Sequence, residues 1–114
     1  MKLPNAELAV VEHGKIVGYL LNSIHPQGAS KARFFARFGF RLEEWKVLAI
    51  ALEEHGRQNE VVVTRETGFG PRYEVKGELN TPDGRRPQVC TVWQVDVDRI
   101  APRLITAYPL DAKS

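Results

Sequence analysis

RYEVKGEL, residues 72–79, decides the fold. Tyr73, Val75, Gly77 and Leu79 alternate with Arg72, Glu74, Lys76 and Glu78. A period of two, with apolar side chains on one side and charges on the other, marks a half-buried antiparallel strand. The same period persists to either side. Val61–Thr67 predicts a strand before it, joined through a turn at Gly68-Phe69-Gly70-Pro71. Thr81-Pro82-Asp83-Gly84, with proline at the favoured second position, predicts the turn after it. Residues 88–97 read as the longest strand, with Val89, Thr91, Trp93, Val95 and Val97 on one face. Pro102 introduces a last strand at residues 103–108, and Pro109 ends it. On that strand Leu104, Thr106 and Tyr108 are expected on one face, and Arg103, Ile105 and Ala107 on the other.

Before Asn59 the period is helical. Residues 15–21 carry Ile16, Tyr19 and Leu20 at helical spacing. Residues 22–28 form a loop punctuated by Pro26 and Gly28. Ser30 is the expected N-cap of a second helix with a Phe34, Phe35 and Phe38 stripe. Gly39 stands where a left-handed residue ends such a helix, with Phe40 folding back on it. A third helix is expected with Glu43 and Glu44 in its first turn, and Leu42, Trp45, Leu48, Ala49 and Leu52 facing inward. His55 and Gly56 are expected to close it, a cation at a carboxyl end being favourable. Residues 7–12 fit either a short strand or a helix start. Helices first, then a hairpin-linked meander, predict an α+β fold: three N-terminal helices on one face of a roughly four-stranded antiparallel sheet.

The totals suit that plan. The 114 residues fit one domain over 1–114, with a helical half at 1–58 and a sheet half at 60–109. A hydrophobic fraction of 43% and a charged fraction of 26% are those of an ordinary soluble protein. No apolar run approaches the ~20 residues of a membrane helix, so no membrane partner is expected. The amino-terminal stretch lacks an apolar signal core, being interrupted by Asn5, Glu7 and Glu12. The single cysteine, Cys90, excludes an internal disulfide and fits a reducing cytoplasm. A net charge of +2 confines any polyanion site to a local patch.

KLPNAELAVV at residues 2–11, YLLN at 19–22, HPQGASKARFFARFGF at 25–40 and PRLITAYP at 102–109 resemble an uncharacterised family of small bacterial domains of unknown function. The most specific part is His25, Pro26, Gly28, Lys31, Ala32 and Phe35. That family is similar to those found beside a small companion gene, which implies a companion or antitoxin protein as partner. By architecture alone, helices before a four-stranded sheet closed by an LxTxYP strand resemble the barnase–EndoU–colicin–RelE group of ribonuclease toxins. That resemblance implies RNA as substrate.

Several chemistries are set aside. His13, His25, His55 and Cys90 show no zinc-ligand spacing. No P-loop, GxGxxG or GxSxG is present, so no cofactor is called for. The acidic residues are too scattered for a two-metal nuclease.

What survives is a set of His, Lys, Arg, Thr and Tyr side chains. His25 has the residue type for proton transfer near neutrality, or is a structural loop histidine. Lys31 and Arg33 stand in an opening helical turn, where cations are disfavoured unless an anion is bound or the side chains swing into water. Arg103 clamps a phosphate, or pairs with Asp96 or Asp98. Thr106 and Thr91 offer hydroxyls to a phosphate, or are β-branched strand formers. Tyr108 offers a second proton carrier. Such a set cleaves RNA through its own 2′-hydroxyl without a metal. The expectation is a toxin-like, metal-independent endoribonuclease. His25, Lys31 and Tyr108 are its catalytic residues, and Arg33, Thr91, Arg103 and Thr106 hold the substrate. The alternative is a non-catalytic protein-interaction or anion-binding module.

Overall fold

Four antiparallel strands pair in chain order in the computed structural model, which describes residues 1–110. The last four residues of the expected domain lie outside the described residues. The strands are β1 (Val61–Thr67), β2 (Gly70–Glu78), β3 (Gln88–Gln94) and β4 (Arg103–Pro109). The β2 alternation is realised: Tyr73, Val75 and Leu79 are buried beneath the helices, whereas Lys76 and Glu78 are exposed. Three helical segments precede the sheet. α1 (His13–Lys15) runs on as a π-helical turn, Ile16–Leu20, closed by the Leu21 N–H to Ile16 carbonyl bond of 2.7 Å. α2 is Ala29–Arg37. α3, Trp45–Gln58, follows a 3-10 turn at Leu42–Glu44. The fold is therefore α+β, as the change of period predicts.

The core lies between helices and sheet. Ile16, Leu20, Phe35, Leu48, Leu52, Val75, Leu79, Val89, Trp93 and Leu104 are all buried. Removal of a side chain such as Phe35 from so closed a core costs about 3–5 kcal/mol. The edge ring of Trp45 meets His13 at 4.7 Å, fastening α3 to α1. α2 ends as its sequence requires. Phe40 N–H donates to Phe35 carbonyl (3.2 Å) and Gly39 N–H to Ala36 carbonyl (3.0 Å), with Gly39 at φ 102°. The rings of Phe35 and Phe40 then meet at 6.0 Å, completing a Schellman cap.

Several sequence expectations are corrected. Residues 7–12 are neither strand nor helix start. A 3-10 turn at Ala6–Leu8 is followed by a single parallel bridge from Val10 to Arg103 beside β4. The first helix begins at His13 and turns as a π-helix, which a 3.6-residue stripe does not reveal. Ser30 is not the N-cap of α2; Gly28 is, with no side-chain cap from Ser30. Leu42 is 49% exposed because the 3-10 turn rotates it off the inward stripe of α3.

His55 does not close α3 as a cation. It is 2% exposed, and the helix continues to Gln58. Burial holds its imidazole below the usual value, and its ring nitrogens are both engaged. Nδ1 lies 2.9 Å from Thr91 Oγ1, and Nε2 donates to the carbonyls of Val89 (2.9 Å) and Gly77 (3.1 Å). β3 stops at Gln94, and Val97 is 80% exposed beyond it. On β4, a register shift opposite Val92 and Trp93 leaves Leu104 and Ala107 both in the core. Thr106 and Tyr108 therefore share the outer sheet face with Cys90 and Val92, their partners on β3, and not with Leu104.

Candidate functional site

The loop from Leu21 to Gly28 is folded by its own side chains. Asn22 accepts the Ile24 N–H at 3.0 Å and donates to the Gly18 carbonyl at 3.2 Å. His25 Nδ1 then accepts two backbone bonds, from Gln27 N–H at 2.9 Å and Gly28 N–H at 3.0 Å. Those donors belong to the loop just before α2, so His25 folds the approach to the helix, whose first turn has no side-chain cap. With Nδ1 an acceptor, the neutral ring carries its proton on Nε2. Gly28 is required by close approach: a β-carbon there would collide with the Tyr19 carbonyl oxygen.

Tyr19 lies at the centre of what this loop builds. Its hydroxyl is 3.0 Å from Thr106 Oγ1, linking the π-helical turn to β4. Its ring meets the His25 ring at 5.0 Å, edge to face. Lys15 Nζ and Lys31 Nζ lie 5.3 and 5.5 Å from the ring centre. Lys31 also donates to the Gln27 carbonyl at 3.3 Å. Neither lysine has a carboxylate partner among the described residues. No hydrogen bond ties the N–H groups of Ser30 and Lys31 to the preceding loop. The result is a half-buried cluster of two ammonium groups, an imidazole and two hydroxyls gathered around Tyr19. It can hold an anion by charge and by directed donors.

Of the residues singled out in the sequence, the structure thus brings His25, Lys31 and Thr106 together around Tyr19. Tyr108 stands two residues further along the same outer face of β4. Its hydroxyl interacts with the Cys90 thiol, and this bond with partial burial pushes its pKa up to about 12. The phenol is therefore a neutral donor near neutrality. Arg103 is held at the beginning of β4 by a two-point pair with Asp96, at 2.8 and 3.2 Å. The pair holds the Asp96 carboxyl low and the guanidinium high. This is one of the two alternatives left open for it.

Arg103, which lines a separate cleft beside Asp96, is not brought to the Tyr19 cluster, and neither are Arg33 and Thr91. Arg33, two positions from Lys31, points to the other side of α2 and lines a separate cleft. Thr91 is fully buried; it accepts Trp93 Nε1–H at 2.8 Å and meets His55, which exhausts its hydroxyl within the core. Tyr19 and Lys15 are the cluster residues that the helical stripe conceals. Their signal is the i, i+4 spacing of a cation and an aromatic on one helix face.

Among the described residues no helix is long and apolar enough to cross a membrane, and no three His, Cys, Asp or Glu side chains gather at one point. No curated protein sequence matches the chain. Among solved structures, it is similar to a chain of a contact-dependent growth inhibition toxin–immunity protein complex from Klebsiella pneumoniae 342. The two share 19% identity and superpose with a TM-score of 0.70, over 93% of this chain and 97% of that chain. At that identity the likeness is one of fold. The motifs from Lys2 to Pro109 find their match at family level: residues 2–111 fit the model described as Domain of unknown function (DUF6883), and the chain belongs to that family.

Proposed function

We propose that this chain is a toxin-like endoribonuclease that works without a metal, gripping an RNA phosphodiester between the tip of α2, Tyr19 and β4. The observation that carries the reading is the pair of ammonium groups, Lys15 and Lys31, flanking Tyr19 without a carboxylate partner among the described residues. The fold likeness to a chain from a toxin–immunity complex supports the toxin-like role and a companion protein that binds it. RNA supplies its own nucleophile. The 2′-oxygen bonds to phosphorus as its proton passes to His25 or water, and the P–O5′ bond breaks as the leaving oxygen takes up a proton. The rest of the site has to stabilise the crowded phosphorane. Lys15 and Lys31 offset its charge, the Tyr19 and Thr106 hydroxyls orient its oxygens, and His25 Nε2–H donates to one of them. Tyr108, further along β4, contacts the neighbouring nucleotide as a neutral donor.

One observation favours a second reading, a site that binds phosphate without cleaving it. His25 Nδ1 is filled by two backbone N–H groups. To act as a base, the ring must move its proton from Nε2 to Nδ1. To act as an acid, it must be protonated on both nitrogens. Either change releases the Gln27 and Gly28 bonds.

The two readings separate in an RNA-cleavage assay in EDTA, run beside RNA binding at two salt concentrations. Lys31→Ala is expected to slow cleavage roughly 100-fold, the loss typical of one transition-state donor. His25→Asn retains an acceptor for the loop but no transferable proton. Cleavage abolished in His25→Asn assigns proton transfer to His25, and cleavage retained leaves it a loop acceptor and donor. Salt-dependent binding without cleavage establishes the second reading. Wild-type protein that neither binds nor cleaves RNA rejects both.

A further inference from the structure

On the side of α2 away from Lys31, a cleft of about 400 Å³ opens between this helix and the segment from Phe40 to Glu43. Its floor is apolar, made by Leu21, Ala32, Ala36 and Phe40, and Leu42 stands half-exposed at its wall. Arg33 and Arg41 stand on its rim. Arg37, four residues beyond Arg33, shares that helix face and is exposed. One carboxylate lines the cleft, Glu43, whose Oε1 is 4.0 Å from Arg41 Nε. Both side chains of that pair are largely exposed, so the contact is weak and readily exchanged. Arg33 is in no ion pair among the described residues.

We propose that this cleft docks an acidic segment of a partner protein, whose carboxylates pair with Arg33 and Arg41 while an aliphatic side chain fills the floor. The charge balance of the rim selects an anionic partner, and guanidinium groups suit carboxylates bidentately. The floor selects protein over nucleic acid. RNA stacks its bases on exposed aromatic faces, and the one aromatic ring here, Phe40, is buried. An aliphatic side chain, by contrast, gains from covering Ala36 and Leu42, the apolar lining side chains left exposed. The surface lies apart from the Tyr19 cluster, so a partner here leaves that cluster open.

The test is a titration of the isotope-labelled full chain, followed by amide shifts, with a synthetic peptide repeating Glu-Glu-Leu. Its Gln-Gln-Leu and Glu-Glu-Ser counterparts and oligouridylate serve as the other probes. The Glu-Glu-Leu peptide is expected to shift the amides of Ala32, Ala36 and Leu42, and to bind roughly tenfold or more tightly than either counterpart. Arg33→Ala with Arg41→Ala is expected to lower that affinity by roughly tenfold or more, while Lys31→Ala leaves it in place. Equal binding of a counterpart overturns the proposal, as does no shift up to roughly 1 mM peptide. Stronger shifts of these amides by oligouridylate overturn it in favour of an RNA contact. The readout is binding without turnover, so its failure and the failure of the ribonuclease reading are distinguishable.

Discussion

The hydroxyl of Tyr19 and Oγ1 of Thr106 lie 3.0 Å apart, across 87 residues of chain. This one bond joins the last strand to the cluster that α2 and its loop begin. A partly buried neutral hydrogen bond of this kind contributes about 0.5–1.5 kcal/mol. Tyr19→Phe and Thr106→Val should each destabilise the fold by about 1 kcal/mol. Their double-mutant cycle in urea should recover a coupling of about 0.5–1.5 kcal/mol. Strict additivity would show that the bond is not formed in solution.

Gly28→Ala places a methyl group against the Tyr19 carbonyl, and backbone on both sides gives little room to yield. A loss of about 1–3 kcal/mol is expected, with a shift of the His25 ring resonances as Tyr19 moves. Gly18→Ala is the control. Its β-carbon meets nothing within 4 Å, and removing a helical glycine should stabilise by about 0.5–1 kcal/mol. Equal effects of the two substitutions would refute the close-approach argument.

His55 sets an acid limit on stability. Burial lowers its pKa in the folded chain below 6.5, so below that pH the unfolded chain takes up a proton that the folded chain refuses. Stability is fully present above pH 6.5 and falls as the pH drops through it toward the lower folded value. Urea midpoints measured from neutral to acid pH should show the decline, and an imidazole resonance that stays neutral below pH 6.5 identifies its source. A flat profile would place His55 in contact with water.

Tyr108 sets the opposite limit. Its pKa is raised from 10.0 to about 12, so above pH 10 the unfolded chain gives up a proton that the folded chain keeps. Its contribution is whole below pH 10 and is lost as the pH rises through about 12. Phenolate absorbance should show Tyr108 titrating late, and Cys90→Ala should bring it earlier, the thiol bond being the first cause of the shift. An unchanged titration in that variant would discount the contact.

How much of this was legible depended on the reach of each interaction. Strands β1 and β2 follow directly from alternation, and Gly39 ends α2 as its φ demands, because these are local constraints. The inward face of α3 was legible from Leu48 to Leu52, but Leu42 was not, since a 3-10 turn shifts the phase by a fraction of a turn. Helical spacing marks Tyr19 only as an apolar position in a stripe. Its hydroxyl is satisfied by a residue on the far strand, which no local period reports. Local sequence makes His55 a terminal cation, because the carbonyls that engage its ring, Gly77 and Val89, come from two later strands. Arg103 came with its partner Asp96 among the alternatives, seven residues away and within local reach.

The irregularity in β4 frees two halves of one strand from each other. Upstream of it, side-chain parity is set by Leu104 beneath the helices; downstream, by Thr106 and Tyr108 on the far side of the sheet. Were Ile105 to take its place in an unbroken alternation from Leu104, Thr106 would turn inward and Ala107 outward. The extra residue thus acts as a phase shifter, allowing hydroxyl-bearing positions to drift in identity while the interior keeps its own register.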